Sequence, residues 1–243
     1  MCDVVAQTLS GGRVFRLSVP VGLLSSGEFA RCLEEIIEGS QSSDTLSSLI
    51  IQGINRSALE VFADRLTSLV TDRQLSLAAR APNLVLLASA VSGPGALPIP
   101  PSLCDIGPVV DTDMLTLASG VAGSLKASAV STGTWADWMK SAGAAADFGS
   151  VNEVAKRLGG AESLLWRKTL QSAFIRLNAL HDHTPPTALQ SLVFGWLLPR
   201  AELSELGADR LPPDLKDGLV DSREPDPRIA RVVARLVSRS KAT

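Results

Sequence analysis

Tyrosine is absent from this chain of 243 residues, and only two histidines are present. The first absence excludes phenolic catalysis and any site built from stacked tyrosines. His181 and His183 flank one aspartate, and no third metal ligand accompanies them, so we interpret this segment as a polar loop. No Gly-x-Ser-x-Gly motif offers a serine nucleophile to either histidine. Histidine-dependent catalysis is therefore not predicted.

Cysteine is also scarce. Cys2, Cys32 and Cys104 are widely separated, which predicts neither a disulfide framework nor a thiolate zinc site. The first residues lack the basic and apolar regions of a secretory signal, and no window of about eighteen residues is uninterruptedly apolar. We therefore predict an intracellular, cytoplasmic protein with no membrane span.

Motifs for phosphate and for hard cations are incomplete. Gly93-Pro94-Gly95 lacks the third glycine of a dinucleotide turn, and Pro98 blocks the helix that should follow. Asp105 and its neighbours Asp111 and Asp113 are suitable ligands for a hard cation, but acidic residues in proline-rich loops more often keep the loop solvated. The sequence predicts no cofactor, no metal and no enzymatic activity.

Charge is distributed unevenly along the chain. Hydrophobic residues make up 45% and charged residues 20%, which is typical of a globular protein. Residues 1–150 contain nine basic and fourteen acidic side chains, whereas residues 223–243 contain six basic and two acidic ones. The basic excess is therefore local, and the whole surface is not that of a nucleic-acid-binding protein.

The last seventeen residues have the pattern of a helix with one basic face. Asp226 is a suitable N-cap and Pro227 suits the first helical position. Arginines then recur at intervals of three and four residues, which places them on one side of a helix. We predict that the cations of this stripe bind a partner or RNA phosphates: Arg228, Arg231, Arg235, Arg239 and Lys241.

The first seventy residues predict a mixed module of order β-β-α-β-α. Val4–Leu9 and Arg13–Val19 have β-like composition and are separated by Ser10-Gly11-Gly12, which predicts a hairpin. Ser25 with Glu28 has the spacing of a capping box, and Gly39 is the expected end of that helix. Next come a buried strand over Leu49–Ile54 and a second helix capped by Ser57 with Glu60.

Two segments of this module carry a family resemblance. They are LLSSGEF, Leu23–Phe29, and IIQGINRSALEVFADRL, Ile50–Leu66. With the predicted order of elements, residues 13–70 resemble the first half of a BTB/POZ domain. The resemblance implies a mixed α+β module that works by contact with protein.

The rest of the chain predicts a connector and a helical region. Prolines and glycines are dense after residue 91, so the chain divides into a module at 1–91, a connector at 92–113 and a helical region at 114–243. Within the helical region, Ala161–Leu180 has the clearest amphipathic pattern. A further helix begins at Thr184-Pro185 and is expected to stop at Pro199.

These observations predict a mostly helical α+β protein that binds rather than catalyses. The leading hypothesis is a self-associating protein–protein interaction or structural assembly protein, whose partners are copies of itself or another protein. The alternative is a viral-type coat or nucleocapsid protein that assembles on RNA, in which case its location is the virion. The basic C-terminal stripe would then hold the phosphate backbone.

Overall fold

The structure is a computed structural model that describes residues 2–23, 25–75, 81–109, 129–141, 149–158, 164–180 and 188–203. In these ranges the chain forms three strands, ten α-helices and one π-helical segment. The strands are β1 (Val14–Ser18), β2 (Ser47–Gln52) and β3 (Leu84–Ser89). The α-helices are α1 (Cys2–Ser10), α2 (Gly27–Gln41), α3 (Leu59–Phe62), α4 (Asp64–Leu75), α5 (Leu103–Ile106), α6 (Thr132–Ser141), α7 (Gly149–Arg157), α8 (Leu164–Leu180), α9 (Ala188–Leu192) and α10 (Leu198–Leu203).

The prediction of a mostly helical α+β fold is confirmed at this level. The described residues form two compact units: residues up to Ile99 with 129–141, and residues 100–109 with 149–203. None of the described helices is long and apolar enough to cross a membrane. The segmentation at residues 91 and 113 stays a prediction.

The sheet of the first unit is parallel, with strand order β1-β2-β3. Parallel neighbours need a crossover connection, which α2 supplies between β1 and β2, and α3 with α4 between β2 and β3. Phe29, Leu33 and Ile37 are buried along one face of α2, because they recur at helical spacing. The Phe29 ring packs on Phe62 of α3 with centroids 4.8 Å apart.

Helix α1 packs on the face of the sheet opposite to α2. Ser48 of β2 hydrogen-bonds Ser10 of α1, and Arg16 of β1 pairs with Asp3 at 2.7 Å. On the other face, the Phe15 ring reaches Gly39 of α2. Side chains alternate between the two faces of a strand, and here α1 covers one face of the sheet while α2 covers the other. This explains why the first five residues of β2 are all buried.

The predicted N-terminal hairpin is wrong. Val4–Leu9 lies in helix α1, and β1 pairs in parallel with β2. Local β propensity is overridden because Ala6 and Ser10, four residues apart, pack into the core. Gly11 has φ +57° and its N–H bonds the Gln7 carbonyl at 2.9 Å. The glycines therefore end a helix rather than turn a hairpin.

Two predicted helix boundaries also need correction. The N-cap of α2 is Ser26, without a side-chain cap bond, and the helix continues past Gly39 to Gln41. Ser57 does not cap the next helix, because its hydroxyl is engaged by the loop after β1. That helix is divided at Ala63 into α3 and α4.

A short segment after residue 128 joins the first unit. Val130 donates its N–H to the Leu9 carbonyl at 3.0 Å and accepts from the Leu46 N–H at 2.9 Å. Thr45 and Ser131 form an antiparallel bridge. A Cβ on Gly11 would lie 2.7 Å from the Ala129 backbone nitrogen, so this approach requires glycine.

The second unit is helical, and its core centres on α8. The amphipathic pattern predicted for Ala161–Leu180 is confirmed over Leu164–Leu180, where Trp166, Leu170 and Phe174 are buried. Side chains of α7, α9, α10 and the π-helical segment Val193–Leu197 complete the core.

Pro199 does not end the last helix as predicted. The Leu198 N–H bonds the Val193 carbonyl, which widens the turn before the proline, and α10 continues to Leu203. Proline has no N–H to donate to the preceding turn, and the π-turn lets the helix continue without that hydrogen bond.

Candidate interaction surface

The carboxyl ends of the three parallel strands meet at one edge of the sheet. In open α/β sheets, ligands bind outside this edge where the strand order reverses, and the order β1-β2-β3 contains no such reversal. Three loops cover it here with their described residues: 19–23 and 25–26 after β1, 53–58 after β2 and 90–99 after β3. We call them together the carboxyl-edge surface.

The Asn55 side chain links the loop after β3 to the loop after β2 through hydrogen bonds. Its side-chain amide donates to the Val91 carbonyl at 2.9 Å and to the Leu97 carbonyl at 2.8 Å, and its Oδ1 accepts from the Val91 N–H at 2.9 Å. The Leu97 N–H bonds the Asn55 carbonyl at 2.8 Å. Asn55 is only 3% exposed, so this amide satisfies backbone groups that water reaches poorly.

Ser57 fastens the loop after β1 in the same way. Its hydroxyl donates to the Pro20 carbonyl at 2.6 Å and accepts from the Leu23 N–H at 2.8 Å. Asn55 and Ser57 thus hold both outer loops against the central one. The segment Asn55-Arg56-Ser57 matches a glycosylation sequon, but both polar side chains are buried and serve the fold.

Three large aliphatic side chains among the described residues of this surface face solvent. Val21 is 69% exposed, Leu97 is 44% exposed and Val91 is 36% exposed. Isolated exposed aliphatics are ordinary, but these lie on loops that hydrogen bonds join. Their exposure was not predicted from the sequence, because nothing in a proline- and glycine-rich loop shows which side chains the fold will leave exposed.

One charge accompanies these apolar groups. The three loops contain 24 residues, of which Arg56 alone is charged, whereas 20% charged residues overall would give about five. Gly53 has φ +64°, and a Cβ there would lie 2.8 Å from Arg56 Cδ. The aliphatic part of the arginine therefore lies across the Gly53 backbone. Such an arrangement can bind an apolar group and an anion together.

A second possible surface, the outer edge of β3, is partly closed. The Ser47 N–H bonds the Asn83 carbonyl, which fixes the register and leaves the carbonyls of Leu84 and Ala88 on the outer edge. The Arg73 guanidinium donates to the Leu84 carbonyl at 2.9 Å, and the Cys2 thiol contacts the Ala88 carbonyl at 3.6 Å. Burial lowers the pKa of Arg73 to about 10. These contacts blunt an edge that would otherwise pair with another strand.

The polar cluster of the second unit is buried. Arg200 pairs with Asp105 at 2.8 Å, with side chains 8% and 25% exposed, and its guanidinium lies 4.8 Å from the Trp166 ring centroid. The Trp196 indole packs edge-on against Trp166 and donates to the Cys104 carbonyl. Burial raises the pKa of the Cys104 thiol to about 11, so it is not a thiolate at neutral pH.

The residues predicted to bind a partner or RNA lie outside the described residues: Arg228, Arg231, Arg235, Arg239 and Lys241. The same holds for the two histidines and for Asp111 and Asp113. Asp105, the third acidic residue of that loop, is engaged by Arg200. In the described ranges, no three His, Cys, Asp or Glu side chains are grouped as metal ligands.

The fold thus combines a small open parallel sheet with a helical unit. No family model matches the chain, and no solved structure matches it. The chain is 28% identical over 137 residues to Druantia protein DruC of Escherichia coli strain UMEA 4076-1. The match covers 56% of this chain and 21% of that protein, so the chain matches about a fifth of the length of this curated relative.

Proposed function

We propose that this chain is a non-catalytic protein–protein interaction or structural assembly protein that binds protein through the carboxyl-edge surface. The observation that carries the proposal is the group of exposed aliphatic side chains, Val21, Val91 and Leu97, on joined loops. The resemblance of residues 13–70 to a BTB/POZ domain implies an interaction module.

The energetics favour binding at this surface. Fully burying a valine or leucine side chain stabilises by about 1.5–3 kcal/mol, so three partly exposed ones contribute a few kcal/mol to a complex. Asn55 and Ser57 already hold the loops in place, so little further ordering opposes association. A preformed apolar surface is therefore suited to bind a short segment of protein.

A displayed library of random peptides tests this function. We expect the wild-type chain to enrich peptides, and the double variant Val21→Ser/Leu97→Ser to lose that enrichment, because both substitutions remove apolar surface without adding charge. Val4→Ser is the matched control, since Val4 is 37% exposed on α1 outside the three loops. If wild type, Val21→Ser/Leu97→Ser and Val4→Ser enriched peptides equally, the carboxyl-edge surface would not be the binding site.

Self-association is the form of assembly that the sequence predicts, and light scattering tests it. We expect masses above the 25.5 kDa of one chain, rising with concentration. A mass that stays at one chain over a wide concentration range would contradict self-association and leave another protein as the partner.

The coat or nucleocapsid alternative rests on the basic stripe, and a four-fold alanine variant tests it: Arg228→Ala, Arg231→Ala, Arg235→Ala and Arg239→Ala. If the stripe binds RNA, removing four phosphate contacts should weaken binding to single-stranded RNA and reduce the slope of log affinity against log salt by about 3.

A matched control for the stripe removes four exposed cations elsewhere: Arg65→Ala, Lys156→Ala, Arg167→Ala and Lys168→Ala. The control should keep the wild-type slope. Equal slopes for all three proteins would rule out the stripe as an RNA contact.

A further inference from the structure

Arg56 is placed to receive a carboxylate. It is exposed, its N–H bonds the Gly53 carbonyl at 2.9 Å, and its side chain lies across that glycine. Within the described part of the chain its guanidinium makes no ion pair or hydrogen bond. The stem is thus held by the turn while the guanidinium stays available, which suits bidentate binding of a carboxylate.

The surroundings of Arg56 determine what kind of ligand fits. Val21, Val91 and Leu97 lie on the loops that Asn55 and Ser57 join to the Arg56 turn. The three loops contain no acidic residue. A fully hydrated anion would leave the aliphatic groups exposed, whereas a purely aliphatic segment would leave the guanidinium without a partner. A ligand with both features satisfies the whole surface.

A second copy of this chain does not supply such a ligand through the same surface. Two copies related by a twofold axis would bring two arginines and no carboxylate to the contact, so the charges are not complementary. Outside the three loops, Val4 is the one large apolar side chain that is exposed among the residues whose burial the structure describes. The charge pattern therefore favours a different protein as the ligand of this surface.

We propose that the carboxyl-edge surface binds a short aliphatic segment of another protein that carries an aspartate or glutamate, whose carboxylate pairs with Arg56. This inference rests on the proposed function and names the chemistry of its partner. The aliphatic groups supply most of the binding energy. The arginine selects the acidic residue, since an apolar segment with a basic residue would meet a like charge.

The peptide selection also tests this inference through the composition of the enriched peptides. We expect wild type to enrich aliphatic peptides with one acidic residue, and Arg56→Glu to enrich aliphatic peptides with a basic residue instead. Arg65→Ala, which removes an exposed arginine of α4, should select the wild-type set. Melting temperatures of the variants near that of wild type would show that the fold is kept.

A synthetic pair of peptides makes the test quantitative. One carries the selected acidic residue and the other its amide, and both are measured by fluorescence anisotropy. On the wild type we expect the amide to bind about tenfold more weakly, which is the range of a charge-assisted pair. On Arg56→Ala the two peptides should bind alike, because the partner of the carboxylate is gone.

The outcomes separate the two proposals. Selection that depends on Val21 and Leu97 but not on an acidic residue would overturn the inference and leave the proposed function standing. Selection that depends on none of these residues would overturn the function itself. Loss of self-association in Val21→Ser/Leu97→Ser would make a second copy the occupant and would also overturn the inference.

Discussion

Asn55→Ala is expected to destabilise the first unit by about 3 kcal/mol and to loosen the loop after β3. The substitution removes three hydrogen bonds and leaves the Val91 N–H and the carbonyls of Val91 and Leu97 without their partner. Each lost bond is worth about 1 kcal/mol, and buried groups left unsatisfied add to this. Urea unfolding measures the change, and hydrogen exchange should show faster exchange at residues 90–99.

Asn83→Ala is the matched control for Asn55→Ala. Asn83 is half-buried in the turn before β3, and its side chain makes no hydrogen bond within the described part of the chain. We expect it to change the free energy of unfolding by less than about 0.5 kcal/mol. If the two variants were equally stable, the Asn55 amide would not be what holds the surface together.

Asp105→Ala is expected to destabilise the second unit by about 3–5 kcal/mol. It removes the Asp105 carboxylate from the buried Arg200 guanidinium, and breaking a buried ion pair by removing one partner is strongly unfavourable. The guanidinium also lies against Trp166, so its displacement would open the aromatic core. Thermal unfolding followed by tryptophan fluorescence measures the loss.

Two further variants isolate the cause. Glu153→Ala removes an exposed ion pair with Lys156 at 3.8 Å and should cost less than about 1 kcal/mol. Replacing both partners of the pair, in Asp105→Ala/Arg200→Met, should recover much of the loss, because neither charge of the buried pair remains. A double variant as unstable as Asp105→Ala would show that packing, rather than the broken ion pair, causes the effect.

The sequence predicted elements well where one face of a helix is buried. Trp166, Leu170 and Phe174 recur at helical spacing and are buried in α8. The pattern failed at the N-terminus, because Val4–Leu9 has β-like composition while the glycines after it suit either a hairpin or a helix end. Parallel pairing of β1 with β2 decides between these alternatives, and pairing is a long-range contact that local pattern does not contain.

The candidate surface was even less predictable. Asn55 and Ser57 are ordinary loop residues in sequence, and their importance lies in bonds to residues 34 to 42 positions away. The exposure of Val21 and Leu97 depends on what the fold leaves uncovered. The sequence shows that Arg56 is charged, but it does not show that Arg56 is the one charged residue of three neighbouring loops. These loops come together only when the parallel sheet forms.

Hydrogen exchange of the full chain with a saturating selected peptide maps where the chain binds protein. We expect slower exchange at residues 19–26, 53–58 and 90–99, and none of this protection in the Val21→Ser/Leu97→Ser variant. Protection confined to other residues, or the same protection in the variant, would show that the aliphatic side chains of the carboxyl-edge surface do not form the binding site.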